Sequence, residues 1–324
     1  MFALPRACAL SGQNSARARE YHDGLELLKK MLGPVVMTLV GDQRVSDILV
    51  RPGWMSATYI GEGRKAATGV DSVDIVGALR VIAPMLGQKV AIESPRVSIG
   101  LPELGVRIVG TYEGPYGCRS TLSIRCHRVV KAKLTDFLGI RQEQITVLSE
   151  WLLNRQERRG VFVSGVPGAG KTTFLRALLT LIPEDEHIVV VEDIRELQLS
   201  QPFVTEHEVT DFYSYRDAMA DVRREEPDRV VLQEIIGAEA REVVSAGIAG
   251  TPPYATVHAY SISNALDIIK RRALEGGADN AVTEDEIARA FGIGIQMRRS
   301  RAGFNVASIQ KIEHANGGYK FEAV

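Results

Sequence analysis

The stretch GVPGAGKTT, residues 165–173, decides how the rest of the chain is read. Gly165, Gly170, Lys171 and Thr172 fill every fixed position of the pattern G-x-x-x-x-G-K-[ST]. Ahead of it GVFVSG (160–165) is a short apolar run of strand type, and behind it Phe174, Leu175, Leu178 and Leu179 recur with helical spacing. A strand feeding a glycine-rich turn and then a helix is the setting in which this motif cradles phosphate. Glycines at 165, 168 and 170 lack Cβ atoms, so successive backbone N–H groups can turn inward, and the helix start presents its positive end. The candidate nucleotide-binding residues are therefore Gly165, Val166, Pro167, Gly168, Ala169, Gly170, Lys171, Thr172 and Thr173. Lys171 would reach the β- and γ-phosphates of ATP, and the Thr172 hydroxyl would ligate Mg²⁺.

A phosphate cradle alone hydrolyses nothing. Hydrolysis needs carboxylates that hold the metal's water shell and orient the attacking water, and in open α/β sheets such groups close the carboxyl ends of strands. Three further apolar runs of strand length supply polar ends: HIVVVED (187–193) finishes in Glu192-Asp193, DRVVLQE (228–234) in Glu234, and YATVHAYS (254–261) carries His258. One acidic strand end is ordinarily a solvated loop opening. Three such ends following one cradle point to a site, because parallel ordering would bring them to the same edge of a sheet. The alternation of helix and strand from about residue 132 onward is that of a parallel α/β sheet. Ile145, Leu148, Trp151 and Leu152 mark a helix, Thr283 with Glu286 has capping-box spacing, and 293–313 reads as a hairpin through RAG.

Before that point the pattern is α+β. Leu25, Leu28, Met31 and Leu32 recur with helical spacing up to Gly33-Pro34, and residues 71–86 form a second helical pattern. VSDILVRPGWMSATYIG (45–61) reads as two strands around Pro52-Gly53, and PRVSIGLPELGVRIVGTY (95–112) and STLSIRCH (120–127) as further strands. HRVVKAKLTD (127–136) is the expected linker, which gives an amino-terminal α+β domain over 1–131 and an α/β domain over 132–324. A chain of 324 residues has room for both, since single cores stop growing near about 250 to 300 residues.

Composition narrows the function classes. Thirty-nine basic against forty acidic residues leave a net charge of -1, so no direct nucleic-acid binding is expected. Cys8, Cys118 and Cys126 are too few for a disulfide framework and lack zinc spacing, so they read as free thiols. His22, His127, His187, His207 and His314 share no metal-ligand spacing, and RRSR (298–301) reads as a solvated turn. Phe2 to Leu10 is interrupted by Pro5 and Arg6 before any signal-peptide core forms, and MLGPVVMTLVG (31–41) is too short to span a bilayer. A cytoplasmic protein, peripheral to a membrane at most, is expected.

GVPGAGKTT, IVVVEDIRELQL, RREEPDRVVLQEIIGAEA and GTPPYATVHAYS resemble, in that order, the Walker A, Asp, Walker B and His boxes of the secretion ATPase superfamily. The likeness runs upstream through SDILVRPG, GEGRK, PRVSIGLPELGVRIVG and LSIR, and is greatest to the TrbB-type conjugal transfer ATPases among the type IV secretion ATPases. The resemblance implies a RecA-like P-loop ATPase domain behind a smaller amino-terminal α+β domain, working with ATP and Mg²⁺ as a homo-oligomer, a hexameric ring. The ring would sit at the cytoplasmic face of the inner membrane, bound to secretion-apparatus proteins and powering secretion or conjugation. It further implies that Glu192 positions metal and water, that Glu234 is the catalytic glutamate and that His258 senses the nucleotide. Arg107 and Arg125 would be the amino-domain arginines that close over the phosphates, coupling hydrolysis to domain closure. On this reading the metal is held by Thr172, Glu192 and Glu234.

The chain departs from the family pattern at several positions. Gln233 stands where glycine usually precedes the catalytic glutamate, Ile236 replaces an arginine, and AGTPPY before the His box lacks a family histidine and is stiffened by Pro252 and Pro253. Three rival functions remain in view: a pilus-retraction or type II secretion motor, a P-loop kinase acting on a small molecule, and a nucleotide-gated scaffold with little turnover. The absence of any cysteine after Cys126 weighs against the type II branch, whose members often carry a four-cysteine module there.

Overall fold

The computed structural model describes residues 12–60, 62–88, 95–112, 120–126, 132–156, 159–193, 195–209, 213–275, 283–300, 303–315 and 317–324. The readings made for Phe2–Leu10, Cys8, Cys118, His127 and part of the linker lie outside these residues. By internal contacts the chain divides into two compact units, Met1–Arg128 and Val129–Val324.

The first unit contains helices α1 (Gly12–Gly41) and α2 (Ile75–Met85) and one six-stranded sheet. Gly33 interrupts α1 with φ 74° and ψ 168°, and Pro34 brings no N–H to the ladder. The helix resumes beyond it, and Leu32, Val36 and Val40 are buried, so the apolar run 31–41 is core. The strands are β1 (Val45–Arg51), β2 (Trp54–Tyr59), β3 (Gly63–Ala67), β4 (Arg96–Leu101), β5 (Val106–Thr111) and β6 (Thr121–Cys126). They pair antiparallel throughout in the order β3-β2-β1-β6-β5-β4. Period-2 alternation sends Ile48, Val50, Ile108, Leu122 and Ile124 into one core with Leu28, Leu79 and Ile82 of the helices. The other sheet face carries the alternate residues, among them Arg107 and Arg125, which are register partners across β5 and β6. The sequence reading missed β3 because GRKAA has no apolar alternation; pairing with β2 defines it.

The second unit is built on an eight-stranded sheet in the order β14-β13-β12-β7-β11-β10-β8-β9. Its strands are β7 (Gly160–Gly165), β8 (Ile188–Glu192), β9 (Val204–Glu208), β10 (Arg229–Leu232), β11 (Pro253–His258), β12 (Phe291–Ser300), β13 (Gly303–Ala315) and β14 (Gly318–Ala323). From β12 to β9 every pair is parallel; β12, β13 and β14 turn back antiparallel. Strands β7, β8 and β10 are buried on both faces, as parallel strands covered by helices must be. On one face Leu148 and Leu152 of α3 (Gln142–Leu153) and Phe174, Leu175 and Leu178 of α4 (Lys171–Leu179) pack against Val163, Val190 and Val231. The other is covered by α5 (Tyr215–Glu225), α6 (Glu239–Ile248), α7 (Ile262–Glu275) and α8 (Glu284–Ala290), which meet Val189, Val191, Val230 and Leu232. Thr283 caps α8 reciprocally with Glu286, as its spacing predicts. The hairpin expected over 293–313 is longer than its apolar pattern showed and carries a third strand, β14, whose GYKFEA is too polar to announce itself.

At the amino edge of this sheet the Arg229 guanidinium is buried. It donates to both carboxylate oxygens of Glu186, to the Tyr254 hydroxyl and, at 2.6 Å, to the Leu152 carbonyl. Removing one partner of a buried ion pair leaves the other charge uncompensated, at a cost of about 3–5 kcal/mol. Glu186→Ala should therefore lower the urea stability of this unit by roughly that amount, whereas the paired change Glu186→Leu with Arg229→Met should recover most of it. Equal losses in the single and double variants would contradict this account.

Candidate functional site

The parallel order β7-β11-β10-β8 sets four strand ends side by side along one edge. Gly165 at the end of β7 is the register partner of His258 at the end of β11. Glu234 follows β10, and Glu192 closes β8. Lys171, His258, Glu234 and Glu192, drawn from four separated segments, thus share the carboxyl edge.

The cradle itself is held by steric exclusion. Gly168 and Gly170 adopt φ of +73° and +86°, conformations open to glycine and costly for other residues. A Cβ on Gly170 would also stand 2.6 Å from the Phe304 ring of β13. Gly170 caps α4, so Lys171 is the first residue of that helix and Thr172 the second. The Arg299 guanidinium of β12 lies against the same loop, with Nη1 3.6 Å from the position a Gly168 Cβ would take. The sequence reading treated RRSR as a solvated turn; only the strand pairing of β12 with β7 carries Arg299 to the loop.

Three candidate side chains form a continuous chain of polar contacts. The Lys171 ammonium lies 3.0 Å from His258 Nδ1, and His258 Nε2 lies 2.8 Å from Glu234 Oε1. An ammonium only donates, so Nδ1 accepts and the ring hydrogen sits on Nε2, which donates to the glutamate. The backbone on either side of Glu234 is pinned. Gln233 N donates to the Val191 carbonyl at 3.1 Å, Ile235 N to the Thr256 carbonyl at 2.9 Å, and the Thr256 hydroxyl to the Gln233 carbonyl at 2.6 Å. Beyond it, Ile236 N and Gly237 N both donate to Glu239 Oε1, at 2.6 and 2.7 Å. Glu239 is a residue the sequence reading passed over, and its place three residues beyond Ile236 at a helix start was the available signal.

Glu192 is fully buried. Its Oε2 accepts from Glu196 N and Leu197 N at 2.9 and 3.1 Å and so shapes the loop that follows β8, while Oε1 is buried without a hydrogen-bond partner. Burial outweighs the two backbone donors and pushes the carboxyl up to about 8. Tyr215, at the start of α5, has its phenol pushed up by burial and then by the charges of Asp193, Glu239, Glu234 and Glu192, which marks this edge as a concentration of carboxylates. Among the described residues no three His, Cys, Asp or Glu side chains converge to hold an ion by themselves. Arg107 and Arg125 belong to the first unit, where Arg107 Nε donates to Ser98 Oγ at 3.1 Å and Arg125 is exposed. No described helix is long and apolar enough to cross a membrane.

Comparison with known proteins gives this geometry a context. Residues 100–280 match the family model described as Type II/IV secretion system protein. The chain is 25% identical to the probable conjugal transfer protein TrbB of Sinorhizobium fredii, over 91% of this chain and 92% of that one. It is 24% identical to the type IV secretion system protein VirB11 of Bartonella henselae, over 85% and 90%. The TrbB-type likeness expected from the four boxes is met by these relatives. In fold it is similar to the pilus retraction motor PilT solved with bound ADP, at a TM-score of 0.64 and 18% identity, covering 91% of this chain and 84% of that one. The expected fold, a RecA-like α/β domain with a smaller α+β domain, agrees with that neighbour.

The raised carboxyl of Glu192 has a consequence for stability. Between about 4.5 and about 8 the folded state holds a proton that the unfolded chain has released, so stability falls as pH rises through that window. In EDTA and without nucleotide, Glu192→Gln should flatten this part of the stability profile, gaining on the order of 2–4 kcal/mol at pH 8 relative to pH 5. Parallel urea-stability profiles for the two proteins would contradict the assignment.

Proposed function

The chain belongs to the Type II/IV secretion system protein family, and from that premise we propose that it is a Mg²⁺-dependent ATPase motor of a type IV secretion or conjugative transfer apparatus. The observation that carries this reading is the Lys171–His258–Glu234 chain beside the phosphate cradle. It joins the phosphate-binding ammonium to a carboxylate through an imidazole, so a change at either end is felt at the other.

In this reading the backbone N–H groups of 165–172 and the Lys171 ammonium take the β- and γ-phosphates. Lys171 then turns from His258 to phosphate oxygens, and His258, still donating to Glu234, is free to respond to the presence of the γ-phosphate. Glu234 accepts a proton from the attacking water and holds it in line. Its backbone is fixed by Val191, Thr256 and Glu239, so orientation costs little at the moment of reaction. Oxygen donors suit Mg²⁺, and the residues fit it: Thr172 at the helix start and the buried, unpartnered Oε1 of Glu192. When bound, the ion neutralises charge on the phosphate oxygens.

Arg107 and Arg125, adjacent on one sheet face of the first unit, are the groups proposed to close over the nucleotide. Guanidinium groups suit that task because they meet phosphate oxygens with paired donors. Association into a hexameric ring, docking on inner-membrane apparatus proteins and a cytoplasmic site of action complete the proposal. The conjugal transfer and type IV secretion names of the relatives support it.

Purified protein with Mg-ATP and no acceptor should release phosphate, which separates a motor from a small-molecule kinase. Lys171→Ala should reduce turnover at least 100-fold together with nucleotide affinity. Glu234→Gln should reduce turnover by a similar factor while ATP binding persists, since removing a group that acts only in the transition state spares the ground state. Hydrolysis at the parental rate in Lys171→Ala would overturn the cradle's role.

A further inference from the structure

Strands β8 and β10 are parallel, with Val191 opposite Leu232, and the ladder runs one step further because Gln233 N donates to the Val191 carbonyl. The next register pair is therefore Glu192 with Gln233. Alternation fixes where both project. Ile188, Val190 and Val231 pack into the core shared with α4, while Val189, Val191, Val230 and Leu232 pack into the opposite one. Glu192 at the end of β8 and Gln233 one residue past the end of β10 consequently fall on the α4 face, on the side of the sheet from which Lys171 and Thr172 rise.

Both side chains are almost fully buried, Glu192 at 0% and Gln233 at 9% exposure, and each keeps one buried oxygen with no hydrogen-bond partner, Glu192 Oε1 and Gln233 Oε1. A buried polar oxygen left without a partner is unfavourable, and two from register-paired residues have a common requirement that a cation, or water bound to one, can meet. In P-loop NTPases the metal is held by the Ser or Thr of the cradle and a Walker-B aspartate. Gln233, the residue just before Glu234, offers an amide oxygen in a position where the family pattern has glycine.

We propose that Gln233 Oε1 and Glu192 Oε1 form a paired oxygen site for the hydrated divalent cation that accompanies the nucleotide. An amide and a single carboxyl group are a weak cage by themselves, and among the described residues no group of three His, Cys, Asp or Glu side chains could hold an ion unaided. Retention of the ion then depends on the Thr172 hydroxyl and the phosphate oxygens, so the ion arrives and leaves with the nucleotide. Gln233 thereby tunes metal affinity without adding charge.

This inference rests on the nucleotide-binding reading, and binding of Mn²⁺ to the full chain, followed by electron paramagnetic resonance with a saturating non-hydrolysable ATP analogue, tests both. The wild type should bind Mn²⁺ only with the analogue present. Gln233→Leu should weaken Mn²⁺ binding at least fivefold while analogue affinity in EDTA stays within twofold. Gln233→Glu, which keeps the shape and adds a charge, should tighten Mn²⁺ binding about tenfold and covers the case in which the leucine variant fails to fold. Mn²⁺ affinity within twofold of wild type in either folded variant would overturn the paired site alone. Failure of the wild type to bind the analogue in EDTA would overturn the nucleotide reading and this inference with it.

Discussion

The parallel ladder β7-β11-β10-β8 is the constraint on which the second unit depends. Parallel pairing leaves all strand carboxyl ends at one edge, and the register levels them to within a residue: Gly165 with His258, and Val191 with Leu232. Neither the cradle nor the carboxylates need long loops to meet. The Lys171–His258–Glu234 contacts are short because their backbones end on adjacent strands.

The polar groups buried in this sheet divide by edge. At the amino edge, Arg229 and Glu186 satisfy one another with help from Tyr254 and a helix-end carbonyl, and the pair is closed to solvent. Near the carboxyl edge Ser164 donates to Gln296 Oε1 at 2.6 Å, and Gln296 Nε2 donates to the Met297 carbonyl at 3.2 Å. Ser164 lies immediately before the cradle, so this network fixes β7 against β12 where the loop begins. Glu192 and Gln233 differ from both sets because each retains an unpartnered oxygen. Satisfied networks rigidify a scaffold, and unsatisfied groups are tolerated where a ligand completes them.

Gln233 also changes how the departures from the family pattern are understood. The sequence shows only that an amide stands where the family pattern has glycine. In the structure its backbone continues the β10–β8 ladder and its side chain lies buried on the α4 face, whereas Glu234 makes its contact with His258. Ile236 is exposed, and its amide is held by Glu239, so the loss of an arginine side chain at that position leaves the loop's backbone anchored.

The sequence by itself determined the cradle, the α/β character of the second unit and the identity of the polar strand ends, because each is encoded locally: glycine and lysine at fixed spacing, apolar runs of strand length, an acid or imidazole closing each run. It did not disclose β3 or β14, whose polar residues carry no period, nor the nearness of Arg299 and Phe304 to the cradle, which depends on β12 pairing with β7 across more than a hundred residues. Nor could it tell that Gln233 and Glu192 share a face. Only tertiary structure decided those, since strand order and register are set by which buried faces pack together, and a contact between distant segments exists only once that packing is chosen.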